Sequence, residues 1–259
     1  MKIGITERGD AGTNFSWVPL LKTVDGAVLI TKQMSDAFNN LIMAAERPVI
    51  VHCTCTGWGG SWMEPNVQPY KVQIGYLKKL LDMGFPKDRA VLRVDPIIPN
   101  EEGLSRAETV LKYASHTLPE RFRVRFSVFD DYPHVRERMA KACHSPIYTD
   151  EWSNRSDPYR YRANDTEKKA VASLLSRYPF SYEACAEDWI VNWAAQYTDV
   201  KCVGCVNEED IRRMGLEVPR AFSENPQGRK GCHCLSCKTE LLTGKKRCSN
   251  GCMYCYWHD

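Results

Sequence analysis

The stretch VIVHCT, Val49–Thr54, is a short apolar and β-branched run, and it opens the unit that decides the fold. A segment of helical periodicity follows over residues 68–83, and a second apolar run follows over residues 90–94. A strand, a helix and a strand in this order predict two parallel strands joined by a crossover helix.

The same alternation extends outward in both directions. Further strand-like runs are at residues 2–6, 27–31, 123–128, 182–186 and, more weakly, 200–203. Further helical patterns are at residues 35–46, 105–115, 132–143, 165–176 and 208–214, with Ser35, Ser105 and Asp165 as expected N-caps. Six or seven such units predict a (β/α) barrel of the TIM type, complete or partial, over residues 1–219. Residues 220–259 are expected to form a cysteine-rich loop region packed on that barrel.

Composition and charge indicate which partners and which compartment to expect for this protein. The chain has 259 residues, 43% of them hydrophobic, and a formal net charge of +3, which is too small to indicate a nucleic-acid partner. No apolar run reaches the ~20 residues of a membrane helix, and charged residues follow within a few positions of Met1. We therefore expect a cytoplasmic protein with no membrane partner.

The twelve cysteines are the most informative residues. Six of them fall in the last stretch of the chain, and clustered cysteines in a reducing compartment more often bind metal than form disulfides. The final three, Cys248, Cys252 and Cys255, have the spacing C-x3-C-x2-C. Three thiolates can bind three irons of a [4Fe–4S] cluster and leave the fourth iron open for chemistry.

A zinc site is the alternative for the same tail. Cys234-x2-Cys237 and Cys252-x2-Cys255 have a separation close to that of a zinc ribbon. In that case the chain would be a non-enzymatic protein that binds nucleic acid or a protein partner. The zinc ribbon leaves the C-x3-C-x2-C pattern unexplained, and we favour the iron–sulfur cluster.

The C-x3-C-x2-C spacing with Tyr254 before the third cysteine resembles the signature of the radical S-adenosylmethionine (SAM) superfamily. Over most of its length the chain resembles an uncharacterised family of radical SAM-like proteins with the motif at the C-terminus, distantly similar to spore photoproduct lyases. The likeness includes Arg8-Gly9-Asp10, Met63-Glu64-Pro65-Asn66, Arg93-Val94-Asp95-Pro96-Ile97 and Cys232-His233-Cys234. Asn250 departs from it, since a histidine is frequent at that place.

This resemblance implies a function. The open iron would bind SAM, whose reductive cleavage gives a 5′-deoxyadenosyl radical that abstracts hydrogen from a substrate. A reductant such as flavodoxin or ferredoxin would supply the electron. The resemblance also implies a second metal site, which is either a second [4Fe–4S] cluster or a structural site such as one for zinc. Cys202 and Cys237 are the alternatives for one of its ligands. Its expected ligands are Cys185, Cys205, Cys232 and Cys234.

Other residues are candidates for cofactor contacts. Arg93 and Asp95 alternate on one strand and face the same side, so they form either contacts to SAM or a structural ion pair. Lys32 and Glu64 are weaker candidates, and the aromatic Tyr254 is expected near the adenine. Residues 152–162 interleave tyrosines with arginines, a pattern that fits an ordinary surface loop and also one that stacks on bases; with the resemblance to the lyases, it favours a nucleotide or nucleic-acid base as substrate. The sequence singles out no catalytic residue, and it leaves the substrate and the oligomeric state open.

Overall fold

The structure is a computed structural model of the chain. It describes residues 1–145, 147–148, 163–190, 200–218, 232–243 and 248–257. The tyrosine- and arginine-rich segment at residues 152–162, which we interpret as an indication of the substrate class, lies outside these residues. So does residue 219, where the predicted boundary between the barrel and the tail falls.

One sheet of eight parallel strands forms the centre of the molecule. Its strands are β1 (Ile3–Ile5), β2 (Gly26–Thr31), β3 (Val49–Thr54), β4 (Ala90–Ile97), β5 (Arg123–Val128), β6 (Ser181–Ala184), β7 (Val200–Cys202) and β8 (Lys238–Glu240). The strands stand in the order β7-β6-β5-β4-β3-β2-β1-β8, so each of the first seven lies beside its neighbours in the chain. The predicted α/β class and the parallel sheet are confirmed.

Helices connect most of these strands. They are α1 (Trp17–Leu20), α2 (Asp36–Met43), α3 (Tyr70–Asp82), α4 (Glu101–Thr117), α5 (Pro133–Lys141), α6 (Asp165–Ser176) and α7 (Glu208–Arg213), with 3-10 turns at Leu21–Thr23 and Lys87–Arg89. Ser35 caps α2 as predicted. The predicted caps Ser105 and Asp165 are wrong, because Asn100 caps α4 and Asn164 caps α6. Among the described residues, no helix is both long and apolar enough to cross a bilayer.

The two faces of the sheet are buried in different ways. One face packs its apolar side chains, such as Leu29, Val51 and Leu92, against helices α2 to α6. The other face carries a smaller apolar cluster that includes Ile5 and Val28. That second cluster also contains residues of α7 and buried cysteines from the tail. This part of the tail therefore belongs to the core of the sheet's second face, whereas Leu241 belongs to the first cluster.

Strand β8 joins the end of the chain to its beginning. It pairs in parallel with β1, from Ile3 opposite Lys238 to Ile5 opposite Glu240. The sequence predicted only loops here, because β8 is three residues long and two of them are charged. Within the described residues no ladder joins β7 to β8, but one backbone-to-backbone hydrogen bond crosses between their flanking segments, from Leu235 N–H to the Val206 carbonyl at 3.0 Å. We call this boundary between β7 and β8 the seam.

Candidate metal centres

The cluster loop, residues 248–255, lies against segments that follow β1 and β3. Asn66 donates from Nδ2 to the Ser249 carbonyl at 2.8 Å, and Met253 N–H donates to the Met63 carbonyl at 2.9 Å. Gly251 lies in the left-handed region at φ 64°, which a residue without Cβ adopts at little cost. These contacts fix the loop at the carboxyl ends of neighbouring parallel strands, where α/β proteins place their sites.

Asp10 anchors the cluster loop to the sheet. Its buried carboxylate accepts a hydrogen bond from Asn250 Nδ2 at 2.7 Å. The same carboxylate accepts from Thr31 Oγ1, Lys32 N–H and Gly12 N–H at 2.6 to 2.8 Å. With four donors, both carboxylate oxygens of Asp10 are satisfied as hydrogen-bond acceptors. It therefore joins the first loop, the end of β2 and the cluster loop through one side chain.

The structure brings the three cysteines of the motif together on this loop. Burial raises the pKa of Cys252 to about 12, although Lys32 opposes the change, and the thiols of Cys248 and Cys255 add to the increase. Burial also raises the pKa of Cys248. Neighbouring buried thiols with high pKa values are neutral until a metal replaces their protons. The donor set fits a metal centre that binds thiolates.

Three predicted cofactor-contacting residues meet beside the cluster loop. Lys32 Nζ lies 2.7 Å from Glu64 Oε1 and 2.7 Å from the Tyr254 hydroxyl, and that hydroxyl also contacts Glu64. Burial works against the charge on Lys32, but attraction from Glu64 and Cys252 outweighs it and raises the lysine pKa to about 12. Lys32 is therefore a cation at neutral pH, held beside Cys252.

Arg93 and Asp95, two residues apart on β4, form an ion pair on one face of the sheet. Burial acts to raise the pKa of Asp95, but Arg93 and a hydrogen bond from Ser127 keep it below its ordinary value. An Arg93 terminal nitrogen lies 4.0 Å from Cys205 Sγ, and the charge of Asp95 contributes to the raised pKa of Lys32. The pair therefore lies between the two groups of cysteines. The Nε of Arg93 has no hydrogen-bond partner among the described residues.

The four cysteines that the resemblance assigns to a second site form a chain of contacts. Cys185 Sγ lies 3.7 Å from Cys205 Sγ, and the Cys205 backbone N–H donates to Cys234 Sγ at 3.1 Å. A hydrogen bond with the Cys234 side chain lowers the pKa of Cys232 to about 7, against the effect of burial. Two of these cysteines come from each side of the seam.

The two possible replacements behave differently from these four. Cys202 donates from Sγ to Asp188 Oδ1 at 2.9 Å. Cys237 is buried, and its carbonyl accepts from Ile3 N–H at 2.9 Å. Burial is the first cause of the raised pKa of the Cys237 thiol, and no other cysteine is among the causes. The geometry thus favours the four cysteines of the contact chain.

A buried ionic network lies beneath the second cysteine group. Arg125 donates to Glu183 at 2.6 Å and to Asp210 at 2.9 Å, and Arg123 contacts the same two carboxylates. Burial disfavours the charged carboxylates, but the two arginines keep the pKa values of Glu183 and Asp210 below their ordinary values. His52 Nε2 lies 3.2 Å from Arg125, and burial with the nearby arginines places its pKa well below 6.5. The network is fully charged around a neutral imidazole.

Some residues of these sites were not identified from sequence. Asp10 was recognisable as a polar residue following a strand, but its partner Asn250 was not. Asp188 and His233 were not predicted to act together, although His233 stands between two predicted ligands. What these residues share in the sequence is a position just beyond the end of a strand or beside a cysteine.

A comparison with protein families gives one match over this region. The model described as a domain of unknown function, DUF1848, matches residues 11–257. The chain belongs to this family. The match includes both groups of cysteines and the residues around Lys32. The DUF1848 description carries no activity, and no curated protein matches the chain.

Proposed function

We propose that the chain is a radical SAM enzyme with a [4Fe–4S] cluster on Cys248, Cys252 and Cys255. One observation carries the proposal: the C-x3-C-x2-C loop is fixed over the carboxyl ends of β1 to β3, with a buried cation, Lys32, beside Cys252. This is where parallel α/β proteins place catalytic groups. The DUF1848 family supplies no activity, so the proposal depends on chemistry and geometry.

The donor set suits a cluster with one open iron. Three thiolates can each bind a different iron, and the fourth iron is left for SAM. Bound there, the cluster would supply the electron that cleaves SAM reductively. The chain's own contribution is to fix the three thiols on one loop through Asp10 and Asn66.

The surrounding residues suit the binding of SAM. Lys32 offers a positive charge to a carboxylate, and Glu64 offers a negative charge to an amino group. Tyr254, one residue before Cys255, packs its ring 5.3 Å from Lys32 Nζ and offers an aromatic surface. Arg93 and Asp95 can contact the carboxylate or ribose, and the unpartnered Arg93 Nε leaves a donor for such a contact. These residues orient the cofactor and keep water away from it.

We propose that Cys185, Cys205, Cys232 and Cys234 bind a second [4Fe–4S] cluster. Four thiolates close every iron, so this cluster would transfer electrons or stabilise the seam rather than bind SAM. Its position near Arg93, on the opposite side from Lys32, places the Arg93–Asp95 ion pair between the two clusters. A nucleotide or nucleic-acid base is the substrate class we propose, with flavodoxin or ferredoxin as the reductant. Twelve free thiols fit a reducing compartment, the cytoplasm.

We further propose that the sheet curves into a barrel of the TIM type. The sequential order of β1 to β7, with β8 beside β1, is the order of a barrel interrupted at the seam. Two apolar clusters on opposite faces of the sheet fit an outer layer of helices and a filled interior. The hydrogen bond from Leu235 to Val206 would close the ring.

The zinc-ribbon alternative requires Cys234, Cys237, Cys252 and Cys255 to bind one ion. Among the described residues, no three of these thiols lie within 4.8 Å of one another. Cys234 contacts Cys205, whereas Cys252 lies near Lys32 and Glu64. A four-iron cluster tolerates wider spacing, since each thiolate binds its own iron. The geometry thus favours the iron–sulfur proposal.

Anaerobic reconstitution tests the proposal. We expect about eight irons and eight sulfides per chain, the content of two four-iron clusters, and 5′-deoxyadenosine when reduced protein meets SAM. Cys252→Ala should lose about four irons and all SAM cleavage, while Cys143→Ala, at an exposed cysteine outside both groups, should keep both. Zinc in place of iron, with no SAM cleavage, would overturn the proposal in favour of the zinc ribbon.

A further inference from the structure

A third group of side chains that could bind metal lies beside the seam, apart from the seven cysteines proposed as cluster ligands. It consists of Asp188, Cys202 and His233, and one ligand atom from each lies within 4.8 Å of the other two. Cys202 Sγ lies 2.9 Å and His233 Nε2 lies 2.7 Å from the same carboxylate oxygen, Asp188 Oδ1. The sulfur of Cys202 and the nitrogen of His233 therefore both lie within 2.9 Å of the third ligand atom, Asp188 Oδ1.

The three residues come from separate parts of the fold. Asp188 follows β6, Cys202 ends β7 and His233 precedes β8. Gly204 holds the last two segments together, because its backbone approaches the His233 carbonyl so closely that a Cβ would lie 2.3 Å from that oxygen. The convergence is thus built by tertiary packing across the seam and not by neighbours in one turn.

The donor types select the class of metal. A thiolate, an imidazole and a carboxylate are the three ligand types that zinc takes in proteins. Calcium and magnesium prefer oxygen ligands alone, and iron–sulfur clusters prefer thiolates. Three protein ligands with a partly exposed aspartate and histidine leave a fourth position open to water.

We propose that Asp188, Cys202 and His233 bind a single zinc ion with an open fourth position. The ion takes the place of the hydrogen bonds that now converge on Asp188 Oδ1. Binding removes the proton of the Cys202 thiol, which is released to solvent, and it requires the histidine tautomer with its proton on Nδ1. One proton is therefore released for each ion bound.

The zinc site is separate from the four-cysteine group. Cys185, Cys205, Cys232 and Cys234 contact one another, whereas the Cys202 thiol and the His233 ring both bond to Asp188. His233 and its two neighbours in the chain thus serve two sites. The bound zinc would add a further link across the seam. Its binding does not depend on the proposed SAM cluster.

The test measures zinc in protein whose iron–sulfur clusters have been reconstituted, so that the other cysteines are occupied. After incubation with zinc and removal of the excess by gel filtration, we expect about one zinc per chain. Asp188→Asn and Cys202→Ser should each reduce this to about none, with iron and sulfide unchanged. His233 is left intact because both its neighbours are proposed cluster ligands.

Two matched variants serve as controls. Glu208→Gln removes a carboxylate that, in the part of the chain the structure describes, pairs only with Arg212 on α7, and Cys143→Ser removes an exposed thiol. Both should keep the zinc. In cobalt-loaded protein, a thiolate-to-cobalt absorption band should be present in both controls and absent in Cys202→Ser. No zinc on the wild type, or zinc that is kept in Asp188→Asn and lost in Cys185→Ser, would overturn the proposal.

Discussion

Asn250 and Asp10 are 240 residues apart in the chain, and Asn250 Nδ2 donates a 2.7 Å hydrogen bond to Asp10 Oδ2. The bond is buried, and it connects the cluster loop to the loop after β1. Asn250 also accepts from Gln33 Nε2 at 2.9 Å, so the asparagine bridges segments that follow β1 and β2. The histidine that the resemblance leads one to expect here is replaced by a residue that can donate and accept at once.

Replacing Asp10 tests this anchor. In Asp10→Asn, an amide replaces a carboxylate that accepts four hydrogen bonds, and we expect the free energy of unfolding to fall by about 2–3 kcal/mol. The cluster loop loses its charged anchor, so iron bound by Cys248, Cys252 and Cys255 should also fall. Chemical denaturation and iron analysis measure the two effects.

The control for this variant is Asp25→Asn. Asp25 accepts one exposed hydrogen bond, from the N–H of Lys2. Lys2 lies next to β1, the strand that Asp10 follows, but Asp25 has no described contact with the cluster loop. It should change stability by less than about 1 kcal/mol. Equal iron content in Asp10→Asn and Asp25→Asn would contradict the anchoring role.

Gly204 tests the contact across the seam. A Cβ at this position would lie within 2.4 Å of the backbone of His233 and Cys234, which cannot rotate away. Gly204→Ala should therefore push the two sides apart, lower the free energy of unfolding by about 1–3 kcal/mol and remove about four of eight irons. The iron bound by Cys248, Cys252 and Cys255 should remain. Continued SAM cleavage by the variant would show that it does.

Gly75 is the matched glycine. It lies in α3, and a Cβ there meets nothing within 4 Å. Gly75→Ala should raise the free energy of unfolding by about 0.5–1 kcal/mol because alanine favours the helix. The seam assignment fails if both alanine variants retain all their iron.

The buried ionic network predicts a large loss of stability when one of its charges is removed. Asp210→Asn leaves Arg123 and Arg125 with a single shared carboxylate, Glu183. An incompletely paired buried cation should lower the free energy of unfolding by about 3–5 kcal/mol. Urea denaturation at neutral pH measures this change in the free energy of unfolding.

Glu209→Gln removes the neighbouring carboxylate as a comparison. Glu209 pairs with Arg213 on the partly exposed side of α7. The expected change is below about 1 kcal/mol, as for exposed pairs. Similar losses in Asp210→Asn and Glu209→Gln would show that burial of the network contributes nothing.

His52 predicts a pH dependence of stability. Its pKa in the folded protein lies well below 6.5, so below that pH the unfolded chain binds a proton that the folded chain does not. Taken alone, His52 should therefore lower the free energy of unfolding by up to about 1.4 kcal/mol per pH unit as the pH falls below about 6.5. His52→Gln keeps an acceptor for Arg125 and removes this proton, so between pH 6.5 and 5 the wild type should lose stability relative to the variant at up to that rate.

The comparison with His52→Gln is needed because two carboxyls act in the opposite direction. Burial raises the pKa of Asp131 to about 6 and that of Glu187 to about 8. Both therefore bind protons in the folded state first, and both make the protein more stable as the pH falls through these values. They are present in the wild type and the variant alike, so only the difference between the two curves reports on His52. Parallel curves would refute the assignment.

The repeating units were predictable because their strands are apolar and continuous. The bounds of β3 and β5 agree with the prediction to the residue. Strand β8 was missed because its three residues satisfy their backbone by pairing with β1, at the other end of the chain. The caps Asn100 and Asn164 were missed because the helices begin in polar segments that precede the apolar periodicity.

The sites were predictable only in part. Spacing brought Cys248, Cys252 and Cys255 onto one loop, because the ligands are local in sequence. Their docking on Asp10 depends on contacts between distant segments, which no local pattern records. Arg123 and Arg125 were equally obscure: alternating charges on a strand suggest an exposed face, but here that face is buried and paired with Glu183.

The pairing of β8 with β1 has a consequence for biosynthesis. Glu240 on β8 accepts a hydrogen bond from Glu7 N–H, across 233 residues of chain. At about 5–20 residues per second, a ribosome needs roughly 10–50 s to translate that interval. Throughout that time the outer edge of β1 has no strand to pair with and is open to wrong partners. The nascent chain therefore needs protection of its first strand, and the sheet can be completed only once β8 has been translated.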